Sequence, residues 1–312
     1  MISGRCWTVC VPHPKETDAH QIVRRHAPAV PFGQGRPQPP GPARRLPAQR
    51  NPPGFVEQGA GVVVRHQAGF RPSGDPWPEG PEVLPGPTLV SQRWSDAVFL
   101  HWPIPPAWAE PYLPDGVEPD VFFGSTWVGL IGFRLHRTRL AGRIPLPWLG
   151  SFTEINVRLY TRGRDGTRGV LFVSLDAARL PTVLGARALR VPYIWSRCVP
   201  TRASGATGSY GYQVRRWGST LDSRFSVHPD YGAEATDDLS LEVTARFGAH
   251  ASLFGRTFFV PNTHRRWPLY KAELQEWDTQ LLASAGFPVN GAPESVLFSP
   301  GVSALFGRPW RL

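Results

Sequence analysis

The chain has 312 residues and a formal net charge of +10, a length that makes one large domain or two ordinary ones. Its 41% hydrophobic content, with 12 Trp and 17 Phe, supplies a core and excludes a wholly disordered chain, a collagen, a coiled coil or a short disulfide scaffold. No run approaches the roughly 18–20 consecutive apolar residues that span a bilayer, so no membrane partner is expected.

Residues 1–88 carry 17 of the 35 prolines, including Pro37-Gln38-Pro39-Pro40-Gly41-Pro42. Each removes a backbone donor and fixes φ, which stops helix and sheet alike. This segment is expected to be a disordered Pro- and Arg-rich N-terminal region, with a basic docking arm as the functional alternative, and residues 89–312 a single domain. From about Trp94 short β-like runs lie between Gly, Pro and Asp turns. Ala97–Pro103 reads as a strand, Pro105-Pro106 opens a short helix, and Pro114-Asp115-Gly116 ends it. Thr126–Leu135 alternates again. Phe152–Tyr160 and Gly169–Asp176 form a hairpin, because Asp165-Gly166 supplies the positive φ its turn needs. Leu180–Leu189 reads as a helix halted by Val191-Pro192, and Tyr210–Trp217 as a strand. Leu239–Phe247 fits helix or strand. Phe258–Val260 and Trp267–Trp277 read as strands, and Asp278–Ala285 as a helix with Asp278 near its N-cap. The sum is an α+β domain with a mostly antiparallel, curled sheet and a few short helices.

The two faces of Phe152–Tyr160 differ in kind. Thr153, Ile155, Val157 and Leu159 make a core face, and Phe152, Glu154, Asn156, Arg158 and Tyr160 share the other. Strict alternation along the partner strand sets Val170, Phe172, Ser174 and Asp176 on that polar side. This surface is either a washed face, its Glu154–Arg158 pair worth about 0–1 kcal/mol, or the lining of a cavity in which its charges are paired or bind something. Phe152, Tyr160 and Phe172 around the polar groups favour the cavity.

Phe99-Leu100-His101-Trp102-Pro103, Leu113-Pro114-Asp115-Gly116, the run Phe152–Tyr160, Gly169–Ala177, Ala186-Arg187 and Val191-Pro192-Tyr193 resemble, in order, the YqjF-like family. His264-Arg-Arg-Trp267-Pro268-Leu269 and the Leu281–Gly286 segment extend the match to about residue 305. That family lies in the acetoacetate decarboxylase-like superfamily, and the resemblance implies a β-cone or barrel around a central cavity with Glu154 pointing in. Acetoacetate decarboxylase forms a Schiff base on a lysine. The segment resembling that motif reads Val191-Pro192-Tyr193-Ile194 here, and a phenol cannot form an imine. Of the 34 basic residues 32 are Arg, and the only lysines are Lys15 and Lys271. Lys271 shares a strand face with Glu273, which suits an ordinary ion pair rather than a desolvated nucleophile.

Other chemistries are unsignalled. The five histidines of the folded part, His101, His136, His228, His250 and His264, form no metal-binding spacing, and His101 reads as a hydrogen-bonded structural residue. No phosphate-binding or dinucleotide glycine motif is present, so neither a metal nor a nucleotide cofactor is indicated. Nucleic acid is not an expected partner, because adjacent arginines in Arg215-Arg216 and Arg265-Arg266 point to opposite strand faces. Cys6, Cys10 and Cys198 are an odd count that fits a reducing cytoplasm, and no export signal is read.

The expected ligand is a small metabolite bearing a carboxylate. Glu154 would act as general acid or base and Tyr193 would hydrogen-bond a developing oxyanion. Asn156, Arg158, Arg187, Ser174 and Asp176 would bind substrate. The enzymatic reading is a lyase, hydratase or isomerase without a Schiff base; the alternative is a non-catalytic small-molecule binding protein.

Overall fold

The structure, a computed structural model, describes residues 83–146, 150–180, 183, 192–201 and 208–312. The Pro-rich region lies outside the described residues as far as residue 82, as does most of the helix expected over Leu180–Leu189. Fourteen strands are present among the described residues: β1 Val90–Ile104, β2 Val117–Pro119, β3 Thr126–Leu140, β4 Ile144–Pro145, β5 Phe152–Gly163, β6 Arg168–Ala177, β7 Tyr193–Thr201, β8 Tyr210–Arg216, β9 Asp222–Glu234, β10 Gly248–Leu253, β11 Arg256–His264, β12 Tyr270–Glu276, β13 Ser295–Phe306 and β14 Trp310–Arg311. No helix among these residues is long and apolar enough to cross a membrane.

The strands are hydrogen-bonded in the order β14-β11-β10-β6-β7-β8-β9-β12-β13-β1-β3-β5-β2, with β4 on β3. Pairings are antiparallel except β6–β7 and β6–β10. Two further pairings, β5–β6 and β11–β13, turn the sheet back on itself. One closed circuit runs through β7, β8, β9 and β12, the other through β10 and β11, and both use β13, β1, β3, β5 and β6 as a common wall.

Both faces of that wall are buried. Val98, Leu100, Val128, Leu130, Ile155, Val157 and Leu159 face a core completed by Tyr212, Val214 and Phe225. Gly132 permits this closeness, since a Cβ there would lie 2.4 Å from the Tyr212 ring. Phe99, Ile131, Phe133, Tyr160 and Val170 face a second core with Val243 and Trp267. Alternating side chains therefore separate one interior from another, where an ordinary antiparallel sheet would separate interior from water.

The β5–β6 hairpin forms as its turn chemistry dictates. Gly166 sits at φ +84°, and Asp165 Oδ1 accepts from Thr167 N at 3.1 Å and Thr167 Oγ1 at 2.6 Å. Elsewhere local signals were shifted by neighbours. The ambiguous Leu239–Phe247 run holds a helix, Asp238–Glu242, capped by Asp237, whose side chain accepts from Ser240 N at 3.1 Å. The expected Trp267–Trp277 strand begins only at Tyr270, after Pro268, which has no ladder donor. Phe258–Val260 extends to Arg256–His264 because it pairs on both sides. The last helix is Gln280–Ser284, with Thr279 at the N-cap position. Asp278 precedes the cap and accepts from Gln280 N at 2.9 Å and from Ser223 Oγ at 2.7 Å.

One irregularity overturns the strict alternation expected along β6. Val157 pairs with Ser174 but Arg158 pairs with Phe172, so Val173 is an extra residue in a β-bulge. Beyond it the faces exchange: Val170 and Phe172 stay with Arg158 and Tyr160, whereas Ser174 and Asp176 pair with Val157 and Ile155 on the opposite face. There Asp176 accepts from Arg216 Nε and Nη2, each at 2.8 Å, and from Ser196 Oγ at 2.6 Å. Ser174 Oγ accepts from Arg216 Nη2 at 3.4 Å. Asp176→Ala leaves a half-buried guanidinium without its carboxylate and is expected to cost about 2–3 kcal/mol in urea unfolding, below the ~3–5 kcal/mol of a fully buried pair; a loss below about 1 kcal/mol would show the pair to be dispensable.

Candidate functional site

Between the common wall and β10–β11 lies a cavity of about 380 Å³. Its polar side is the face of β5 singled out by sequence. Glu154 and Asn156 are buried, Arg158 is half-buried, and all three line the cavity together with Tyr193 from the start of β7. Most of the remaining lining is apolar. Phe99, Phe133, Phe172 and Leu175 come from the wall, and Trp94 stacks on Trp267 with ring centroids 5.8 Å apart.

Glu154 is held by two donors. The Tyr193 hydroxyl donates to Oε2 at 2.7 Å, and Asn156 Nδ2 to Oε1 at 3.5 Å. Burial raises the carboxyl from its ordinary 4.5 to about 7, and the hydrogen bonds from Tyr193 and Asn156 only partly oppose this. The same burial, reinforced by the Glu154 charge, pushes the Tyr193 phenol well above its usual range, so it stays a donor. The expected oxyanion donor is thus already engaged with the carboxyl beside it.

Arg158 is positioned by neutral oxygens. Its Nε and Nη2 donate to the Tyr160 hydroxyl at 3.2 and 3.0 Å, and Nη2 also donates to Val243 O at 3.0 Å. Tyr160 in turn donates to Val243 O at 2.9 Å. The guanidinium lies 5.8 Å from the Phe99 ring centroid and forms no ion pair among the described residues. Arg246, also in the lining, is different. It pairs with Asp120 and with Glu242, and Arg168 bridges the same two carboxylates. Burial alone would raise Asp120, but the Arg246 and Arg168 guanidinia outweigh it and hold this carboxyl below its ordinary range. Arg162 Nε also approaches Asp120 Oδ1 at 3.6 Å, so each cation of that cluster has a carboxylate partner, as Arg158 does not among the described residues.

The structure therefore brings Glu154, Asn156, Arg158 and Tyr193 to one cavity and carries Ser174 and Asp176 away from it. Arg187 lies outside the described residues. Sequence reading missed Arg246, Thr244 and Asn262 as lining residues. The first two follow a helix that its sequence left ambiguous, and Asn262 sits beyond the expected end of its strand. His101 departs from expectation: neither ring nitrogen finds a hydrogen-bond partner among the described residues. Burial, with Arg158 and Arg246 nearby, holds it well below the usual histidine range and hence neutral. Lys271 is also paired otherwise than expected. Its Nζ meets Asp237 Oδ2 at 2.5 Å and Ser240 Oγ at 3.1 Å, and it does not line the cavity.

With this geometry established, comparisons with known proteins give a consistent picture. The DUF2071 family, described as an uncharacterized conserved protein, matches residues 91–303. Over 197 residues the chain is 26% identical to the uncharacterized protein YqjF of Bacillus subtilis (strain 168), covering 62% of this chain and 80% of that one. Among solved structures, the enduracididine biosynthesis enzyme MppR with HEPES buffer bound aligns at a TM-score of 0.51 and 14% identity, over 73% of this chain and 88% of that one. An acetoacetate decarboxylase aligns at 0.51 and 13%, over 73% and 91%. At such identities the likeness shows the fold alone, an α+β, mostly antiparallel sheet of the acetoacetate decarboxylase-like kind.

The raised pKa of Glu154 has a signed consequence for stability. Between about 4.5 and about 7 the folded state holds a proton that the unfolded state has released, so stability from this group is full below that window and is lost as pH rises through it. Glu154→Gln keeps an acceptor for Tyr193 and has no charge to bury. Its melting temperature is expected to vary less than wild type over this window and to exceed wild type by a few degrees at pH 8. Calorimetry across pH 4.5–8 checks this, and a variant less stable than wild type at pH 8 would contradict it.

Proposed function

The chain belongs to the DUF2071 family, and from the cavity of this member we propose that it binds a small metabolite bearing a carboxylate and moves a proton on it, as a lyase, hydratase or isomerase that forms no Schiff base. The observation that carries the reading is the hydrogen bond from Tyr193 to the buried Glu154 on the cavity wall, with burial pushing that carboxyl up to about 7. A general acid or base is most effective when its pKa lies near the working pH.

Arg158 supplies the anchor. A guanidinium bonded, among the described residues, to neutral oxygens offers a ligand carboxylate a charge-assisted partner, worth roughly 1.5–3 kcal/mol for a hydrogen bond to a charged group. Ionised Glu154 would take a proton from a carbon beside a ligand carbonyl, and the electron pair of the broken C–H bond would move onto the carbonyl oxygen. As Glu154 gains the proton its hold on the Tyr193 hydroxyl weakens, and that donor becomes available to the oxygen where charge gathers. Return of the proton to a different carbon completes an isomerisation; expulsion of a leaving group from the neighbouring carbon completes an elimination. An imine route has no support, since the lysine of the folded region is tied to Asp237.

Deuterium uptake into carbon-bound positions of copurifying or added carboxylates, followed by NMR, tests this. Glu154→Gln is expected to slow exchange by about 10²–10⁴-fold while leaving ligand binding in place. Exchange at the wild-type rate would overturn the role of Glu154, and a ligand recovered from wild type without exchange or turnover would assign a binding protein instead. Borohydride with β-keto acids is expected to trap no adduct; a covalent mass on Lys271 would reverse that.

A further inference from the structure

The two polar poles of the cavity are far apart, and their separation bears on the length of the ligand. Arg158 and Glu154 share one face of β5 four residues apart, about 13 Å between Cα atoms at roughly 3.3 Å per residue. The Arg158 head donates to the Tyr160 hydroxyl and to Val243 O, and among the described residues neither a hydrogen bond nor an ion pair joins it to Glu154. Between the poles the wall is mostly apolar. Phe172 stands opposite Arg158 and Leu175 opposite Asn156 across the hairpin, and Ile131 and Phe133 line the cavity from β3. The aromatic side continues through Trp94 and Trp267. A three-carbon acid held at Arg158 would not reach Glu154.

Resting on the cavity reading above, we propose that the ligand is an elongated monocarboxylate with an apolar, ring-bearing body, its carboxylate at Arg158 and its reacting carbon at the Glu154–Tyr193 end. The cavity volume of about 380 Å³ falls in the range of about 300–1,000 Å³ usual for small-molecule pockets, room enough for such an acid.

Isothermal titration of the full chain with pyruvate, phenylacetate, 3-phenylpropionate, 4-phenylbutyrate and 3-phenylpropionamide reads this directly. The phenylpropionate and phenylbutyrate are expected to bind at least about tenfold tighter than pyruvate, and the amide about tenfold weaker than its acid, as loss of one charged hydrogen bond dictates. Arg158→Met is expected to abolish the preference for acid over amide while still binding the amide. Should that variant fail to fold, Arg158→Lys keeps the charge and is expected to retain a reduced preference. Phe172→Trp shortens the cavity and is expected to move the optimum to phenylacetate. Pyruvate binding as tightly as the longest acid, or an acid preference that survives Arg158→Met, would overturn the proposal. If the acids bind in the expected order and Glu154→Gln still exchanges protons at the wild-type rate, the proton-transfer reading fails and the length assignment stands.

Discussion

The structure depends on a wall of five strands, β13, β1, β3, β5 and β6, that is buried on both sides. Closure through β7–β9 and β12 presses one face into an apolar core, and closure through β10 and β11 covers the other. The polar groups on the second face are wholly or partly removed from bulk water. Each must find a partner or change its charge, because an unpaired buried ion costs several kcal/mol even after the protein relaxes. The chemistry of the cavity follows from that constraint.

The charged groups meet it in different ways. Asp120 and Glu242 pair with Arg168 and Arg246 in a compact cluster that Arg162 also joins, and Asp176 and Arg216 pair on the opposite face. Among the described residues Glu154 has no cation beside it, and burial moves its pKa up to about 7. Among the same residues Arg158 has no carboxylate partner and rests on a phenol, a peptide oxygen and an aromatic face. These two groups, without a counter-charge among the described residues, both line the polar side of the cavity. A fold selected only for stability would have paired them or replaced them with apolar side chains.

Much of the fold and part of the site were legible in residue order. The β5–β6 hairpin follows from Asp165-Gly166 and alternating flanks, and the helix at Pro106 from a proline in its first turn. Glu154, Asn156 and Arg158 were recognisable together because a period of two places them on one face whatever the strand packs against. Ser174 and Asp176 were assigned to the wrong face for a reason that no pattern within β6 reveals: the bulge at Val173 arises from pairing with β5. The partners of Lys271 and the orphaned ring of His101 likewise depend on contacts between segments far apart in sequence.

What the amino-acid order determined by itself is local: which segments extend, which turn, which side chains share a strand face, and that the folded region has almost no amine to offer. Those properties need only the neighbours a few residues away and the fixed geometry of the backbone. Whether the polar face of β5 meets water or an interior was decided by sheet closure, since burial is a property of all the strands together. The neutral-range carboxyl and the cavity that it shares with the Arg158 guanidinium exist only once that closure has excluded solvent.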